Sequence, residues 1–209
     1  MICVPIRQKR IDTILKKIKE SEKDADLTEI WFDEINGLNE KNLQKIFSKK
    51  KRPVIYKSLG NQKKINQVLE FKPEYIDLDL KSTSTIIEMI KSKSPTTKII
   101  ISFHDFKKTP EEKELKKIIK EMQKKGADIC KIATYAKNFT DSLRILSLLS
   151  QLKEQKIDAI CLAMGEEGKF TRVAGHLLGN YLMYAPLDQK SKTASGQITL
   201  KELKKCHLK

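Results

Sequence analysis

The chain is 209 residues long, carries 42 Lys+Arg against 27 Asp+Glu for a net charge of +15, and is 39% hydrophobic. That suits one domain, residues 1–209, with a substantial core. Only five of the 42 basic residues are arginine, and the lysines are spread among Glu and Asp over every predicted helix, which describes a solvated surface able to steer an anionic substrate and argues against nucleic acid as a partner. No run of about 18 apolar residues occurs, and Met1-Ile2-Cys3-Val4-Pro5-Ile6-Arg7 lacks the features of a signal peptide, so no membrane association and a cytoplasmic location are expected.

From the start, apolar strand-like runs alternate with amphipathic segments. Ile2–Ile6 reads as a strand and Ile11–Ser21 as the helix after it. Strand Glu29–Ile35 precedes helix Glu40–Ser48, strand Pro53–Ser58 precedes helix Lys63–Glu70, and strand Tyr75–Leu80 precedes helix Thr85–Lys91. The pattern continues with Lys98–Phe103 and Glu111–Lys125, Asp128–Thr134 and Thr140–Glu154, Ala159–Met164 and Thr171–Asn180, then Tyr181–Ala185 and Leu200–Lys205. A run such as Ile99-Ile100-Ile101 bounded by polar residues is that of a strand buried on both faces. In the helix that follows, Leu115, Ile118, Ile119 and Met122 recur at helical spacing. Eight βα units with short connections predict an α/β fold, a (β/α)8 TIM barrel. An open doubly wound sheet is the alternative, and it usually carries a glycine-rich phosphate loop after its first strand. Here Arg7-Gln8-Lys9-Arg10 follows, and the chain holds eight glycines and no G-x-x-x-x-G-K-[S/T].

Barrel enzymes place their chemistry at the C-terminal strand ends. Those ends offer Glu29, Trp31 and Asp33 from strand two, Lys57 from strand three, Asp77 and Asp79 from strand four, and His104 and Asp105 just past strand five. Strand six carries Lys131 among Ile129, Cys130, Ile132 and Ala133. Burial disfavours the charged form of a lysine, lowers its pKa and frees the amine to form a Schiff base with a carbonyl. Equally, Lys131 can face an acidic partner or snorkel out between helices. His104 has the near-neutral pKa that proton transfer requires, although a lone histidine at a strand end is often structural. His176 and His207, on a helix and in the tail, carry no such signal. Cys3, Cys130, Cys161 and Cys206 have no C-x-x-C spacing and no histidine cluster; the three in strand-like runs read as reduced buried thiols, and no metal site is expected.

Four motifs then occur in order: I-S-F-H-D-F-K-K-T-P (Ile101 to Pro110), G-A-D-I-C-K-I-A (Gly126 to Ala133), M-G-E-E-G-K-F-T-R-V-A-G-H-L-L-G (Met164 to Gly179) and A-S-G-Q-I (Ala194 to Ile198). Together they resemble the signatures of type I 3-dehydroquinate dehydratase: S-[YF]-H-D-F-x-x-T-P, D-[IV]-x-K-[IL]-A, M-G-x-x-G-x-x-[ST]-R and A-P-G-Q. The resemblance implies a barrel enzyme, commonly a homodimer, that converts 3-dehydroquinate to 3-dehydroshikimate and water in the shikimate pathway without cofactor or metal. It implies that Lys131 forms an imine with the substrate ketone and that His104 moves the protons. Arg172 would clamp the substrate carboxylate, and Gln197 and Thr193 would sit in the loop that covers the site. Met164 and Tyr184 fall at apolar wall positions, while Glu29 and Asp33 match the acids of E-x-R-x-D, Glu29 being expected to hold substrate hydroxyls.

The departures are specific. Trp31 stands where E-x-R-x-D has arginine, Lys57 stands where strand three usually ends in arginine, and Ser195 replaces the proline of A-P-G-Q. Ser58-Leu59-Gly60-Asn61-Gln62 replaces an E-G-G whose glutamate orients the histidine, leaving His104 to be held by Asn61 or by nothing. Two other classes compete with the dehydratase. A Schiff-base aldolase on the same barrel would share Lys131 but favour a phosphate loop over Arg172, and a basic nucleic-acid-binding protein would have no use for Lys131 and His104.

Overall fold

The computed structural model describes residues 1–206; His207 and the side chain of Cys206 lie outside the described residues. Eight parallel strands form a nearly closed barrel with a helix after each, in the spatial order β7-β6-β5-β4-β3-β2-β1-β8. The first half comprises β1 (Ile2–Ile6), α1 (Ile11–Ser21), β2 (Leu27–Ile30), α2 (Glu40–Lys49), β3 (Val54–Lys57), α3 (Gln62–Leu69), β4 (Tyr75–Asp79) and α4 (Ser84–Lys93). The second comprises β5 (Lys98–Asp105), α5 (Glu112–Lys124), β6 (Ile129–Tyr135), α6 (Phe139–Glu154), β7 (Ala159–Met164), α7 (Lys169–Leu177), β8 (Met183–Tyr184) and α8 (Leu200–Cys206). Among the described residues, no helix is long and apolar enough to cross a membrane.

Local chemistry sets the helix starts. Asn39, Asn61 and Asn138 each sit at an N-cap in extended conformation and accept from the backbone N–H three residues on, which satisfies one orphan donor of the first turn. The stripe of α5, Leu115, Ile118, Ile119 and Met122, is buried against the sheet. Capping also settles Asn61: its side chain is spent on Lys64 N, 3.1 Å away, and does not hold His104.

Strand alternation separates two cores. Inward-facing positions such as Leu27, Ile55, Ile100, Ile129 and Ile160 fill the barrel, while Ile30, Tyr56, Ile101, Ile132 and Cys161 pack outward under the helices. Two strands differ from expectation. β2 ends at Ile30 rather than Ile35, because the chain turns at Trp31 (φ −91°, ψ 73°) into a 3-10 turn over Phe32–Glu34. Asp33 therefore leaves the barrel mouth: it accepts from the Tyr56 hydroxyl and from Leu59 N, bracing the end of β3. β8 is only two residues long, and the seam beside it is closed by a side chain. Next to the backbone bond from Tyr181 N to Ala159 O at 2.8 Å, Asn180 Oδ1 accepts from Cys161 N at 2.8 Å and its Nδ2 donates to Cys161 O at 3.3 Å, continuing the seam where the strands are not paired. Cys3, Cys130 and Cys161 are free and buried; burial pushes the Cys130 thiol up to about 11, so it stays protonated at neutral pH.

Candidate active site

The barrel is filled by apolar side chains only up to a level set by Ile55, Ile100 and Ile129. Two residues further along their strands the inward positions are Lys57, Ser102 and Lys131, with Asp77 between them on β4. Lys57 and Asp77 are register partners, as are Ser102 and Lys131. Asp77 is fully buried and bridges both lysines: its Oδ1 accepts from Lys57 at 2.8 Å and from Ser102 at 2.7 Å, and its Oδ2 accepts from Lys131 at 2.6 Å. Lys131 Nζ also donates to the Tyr184 hydroxyl at 2.8 Å and lies 3.5 Å from Glu29 Oε2. Burying charge without pairing is costly, and here two lysines and two acidic side chains are buried together.

This pairing reverses one expectation. Burial works against the Lys131 ammonium, but the Asp77 and Glu29 carboxylates outweigh it and raise the pKa above the ordinary lysine value. Cys130 and Ile132, its sequence neighbours, face the helices and do not surround it. Resting Lys131 is an ammonium and must shed a proton to act as a nucleophile. Asp77 is held well below the usual carboxylate range: burial alone would raise it, and Lys131 and Lys57 overturn that.

His104 lies within β5, one residue before its end at Asp105 rather than past it as expected, on the same inward face as Ser102. Burial first, then the charges on Lys131 and Lys57, push its pKa down to about 3, so it is neutral near pH 7. Its ring stacks on Phe106 with centroids 6.0 Å apart and planes 11° apart. Among the described residues no side chain hydrogen-bonds it.

These groups open into a cavity of about 810 Å³ whose lining includes Glu29, Trp31, Lys57, His104, Lys131, Arg172, Tyr184, Thr193 and Gln197. Arg172, on α7, is 1% exposed, and its Nε and Nη2 have no hydrogen-bond partner; burial lowers its pKa to about 10, still charged at neutral pH. A buried guanidinium with vacant donors is a receptor for a planar anion, and two parallel N–H bonds suit a carboxylate. We expect Arg172→Leu to raise the KM for a carboxylate substrate by roughly 10²-fold while raising thermal stability by about 1–3 kcal/mol. Steady-state kinetics and a melting curve check the pair, and a stability loss with unchanged KM contradicts it.

The covering loop is docked. Gly196 (φ +73°) has no room for a Cβ, which would lie 2.2 Å from Gly165 O. Ser195 Oγ accepts from Gly165 N at 3.2 Å, the contact made at the position of the expected proline. Gln197 Oε1 accepts from Thr193 N at 2.7 Å and Ala194 N at 3.1 Å, so it shapes its own loop. Met164 packs in the barrel interior, and the cavity wall on β7 is Leu162 instead. Tyr184 is not merely an apolar wall, since its hydroxyl touches the lysine. Asp77, offered by the sequence as a polar group of strand four but given no role there, is the central residue of the cluster; its signal is a carboxylate flanked by Ile76 and Leu78.

The family model for type I 3-dehydroquinase matches residues 2–207. The 3-dehydroquinate dehydratase of Methanococcus maripaludis strain S2 is 33% identical over 218 residues, covering 98% of this chain and 97% of that protein. The chloroplastic bifunctional 3-dehydroquinate dehydratase/shikimate dehydrogenase of Arabidopsis thaliana is 31% identical, covering 97% of this chain and 36% of its own length. Among solved structures, a type I 3-dehydroquinate dehydratase from Clostridium difficile with covalently modified comenic acid superposes with a TM-score of 0.83 at 26% identity, over 98% of this chain and 89% of that one.

Proposed function

The chain belongs to the type I 3-dehydroquinase family, and from that premise we infer that its cavity dehydrates 3-dehydroquinate to 3-dehydroshikimate through an imine on Lys131. The observation that carries this reading is the coexistence, in one cavity, of a buried lysine between two carboxylates and a buried arginine with vacant donors. The first is a nucleophile for the ketone, and the second is a socket for the carboxylate.

The steps balance. Lys131 enters as an ammonium, and His104, uncharged, takes one of its protons as the amine attacks the carbonyl carbon. The carbinolamine oxygen receives that proton and a second one from the attacking nitrogen and leaves as water, giving a cationic imine. The imine withdraws electrons from the adjacent carbon, so neutral His104 can remove a proton from it and leave an enamine. The enamine electrons then expel the hydroxyl one carbon further on, protonated by His104 as it departs. Water hydrolyses the conjugated imine and regenerates Lys131. A histidine whose cation is destabilised by neighbouring ammoniums is a weak base but a strong acid, which suits the expulsion step. The imine, by acidifying the carbon, offsets the weakness as a base. Arg172 holds the carboxylate, Glu29 accepts from substrate hydroxyls, Lys57 fixes Asp77, and Thr193 and Gln197 shape the roof.

Borohydride reduction in the presence of 3-dehydroquinate, followed by peptide mass spectrometry, tests the reading. A reduced adduct on Lys131 with ultraviolet absorbance from the conjugated ketone is expected. No adduct, or an adduct on Lys57, refutes it.

The same reading includes a homodimer. Phe139, Leu143, Phe170, Leu177 and Leu178 are exposed on α6 and α7 and the turn beyond, and the two phenylalanine rings have centroids 5.4 Å apart. On a protein of net charge +15, such an apolar face is where two copies can meet with least repulsion. Sedimentation should give a dimer that Leu177→Asp converts to monomer; a monomeric parent excludes it.

A further inference from the structure

Trp31 is the chain's one tryptophan and lines the cavity. It stands two residues after Glu29, and residues two apart on a strand share a face. The chain leaves the strand at Trp31, and its indole Nε1 donates to Glu29 Oε1 at 3.0 Å. The opposite oxygen, Glu29 Oε2, is buried with no hydrogen-bond partner and lies 3.5 Å from Lys131 Nζ. Trp31 is itself anchored. The Arg7 guanidinium sits 4.4 Å from the centroid of its ring, a cation–π contact. Arg7 is fixed in turn by Glu34, which accepts from Arg7 Nε at 2.8 and 3.0 Å and from Nη2 at 2.6 Å. Glu34 belongs to the 3-10 turn that Trp31 begins, so the turn returns to hold the ring that started it.

We propose that Trp31, clamped by Arg7, is the positioning residue for Glu29: the indole occupies one carboxylate oxygen so that the other is presented to a substrate hydroxyl beside the reacting lysine. The inference rests on the reading of this cavity as a 3-dehydroquinate site. A neutral N–H donor orients the carboxylate without neutralising it, leaving Oε2 a strong acceptor. It also means that hydroxyl recognition, rather than imine chemistry, is what Trp31 governs.

The test compares the parent with Trp31→Phe, which keeps a ring but loses the donor, on two ketones. One is 3-dehydroquinate; the other is 3-oxocyclohexanecarboxylate, which has the ketone and carboxylate but no hydroxyls. Steady-state KM is read for 3-dehydroquinate, and the concentration dependence of borohydride trapping on Lys131 is read for both, since the second ketone has no hydroxyl to eliminate. We expect Trp31→Phe to weaken 3-dehydroquinate roughly tenfold, with trapping by the hydroxyl-free ketone unchanged. Arg7→Gln should weaken 3-dehydroquinate by a few-fold, seen also in quenching of the single tryptophan, and should add nothing in the Trp31→Phe background, since it acts through that ring. Equal losses on both ketones would mean general damage to the cavity and overturn the proposal, as would no loss on either. Should Trp31→Phe fail to fold, Arg7→Gln decides by the same two-ketone comparison. If the parent itself traps no 3-dehydroquinate, the site reading falls and this inference with it; a parent adduct with indifferent variants removes this inference alone.

Discussion

Lys131→Met lowers turnover of 3-dehydroquinate by on the order of 10⁴-fold or more, the scale on which enzymes lose rate when a covalent nucleophile is removed. Methionine keeps the length and much of the volume of the aliphatic stem, so the barrel layer around Ile129 and Ala133 stays filled. Asp77 loses the donor to its Oδ2 but keeps its counter-ion, because Lys57 and Ser102 still donate to its Oδ1. Any rate loss therefore belongs to the chemistry and not to collapse of the site, and a melting temperature within a few degrees of the parent would establish that. Lys57 is the informative control. It is 20 residues from Asp77, in salt bridge with it at 2.8 Å, and equally buried, yet Lys57→Met should leave a Lys131 adduct trappable. If Lys131→Met retains turnover, or if its adduct simply moves to Lys57 with activity intact, the assignment of the nucleophile is wrong.

His104→Gln separates the proton transfers from the imine. Removing a general acid/base costs about 10²–10⁴-fold, so kcat should fall by that range while borohydride still captures substrate on Lys131. The pH dependence carries the sign. Folded His104 is depressed to about 3 from an ordinary value of 6.5, so unfolded chains bind a proton there that folded ones refuse. Stability tied to this group is present above about pH 6.5 and is lost as the pH falls toward 3; His104→Gln should melt with a shallower acid dependence than the parent. The same depression predicts that the His104 ring signals in NMR of the free protein stay those of a neutral imidazole down to about pH 4. A ring that titrates near 6.5 would show that neither burial nor the ammoniums of Lys131 and Lys57 act on it, and would restore His104 as an ordinary solvated base.

Much of this was legible in the order of residues. Each apolar run between helical stripes gives a strand and each Leu/Ile stripe a helix, because those periods follow from local geometry alone; the eightfold repetition then leaves a closed barrel as the way to bury every strand on both faces. Lys131 and His104 stood out because a charged or titratable group inside or beside an Ile-rich strand is costly and must have a reason. Arg172, Glu29, Thr193 and Gln197 came from motif resemblance and do line the cavity. What sequence could not settle was pairing across strands. Asp77 sits 54 residues from Lys131, and only the pairing of β4, β5 and β6 side by side brings it within 2.6 Å, which turns an expected lowered lysine pKa into a raised one. Asn61 looked free to hold His104 until the start of α3 claimed its side chain as a cap. The alternation of E-I-W-F-D-E-I read as a long strand, yet Phe32 is needed in the outer core and Asp33 at the end of β3, so the chain turns there. Local propensity and periodicity, being properties of neighbouring residues, determined the elements and their order; the charge state of the lysine, the vacant arginine and the tryptophan set against Glu29 depend on distances between residues far apart in the chain, and those only the folded barrel decides.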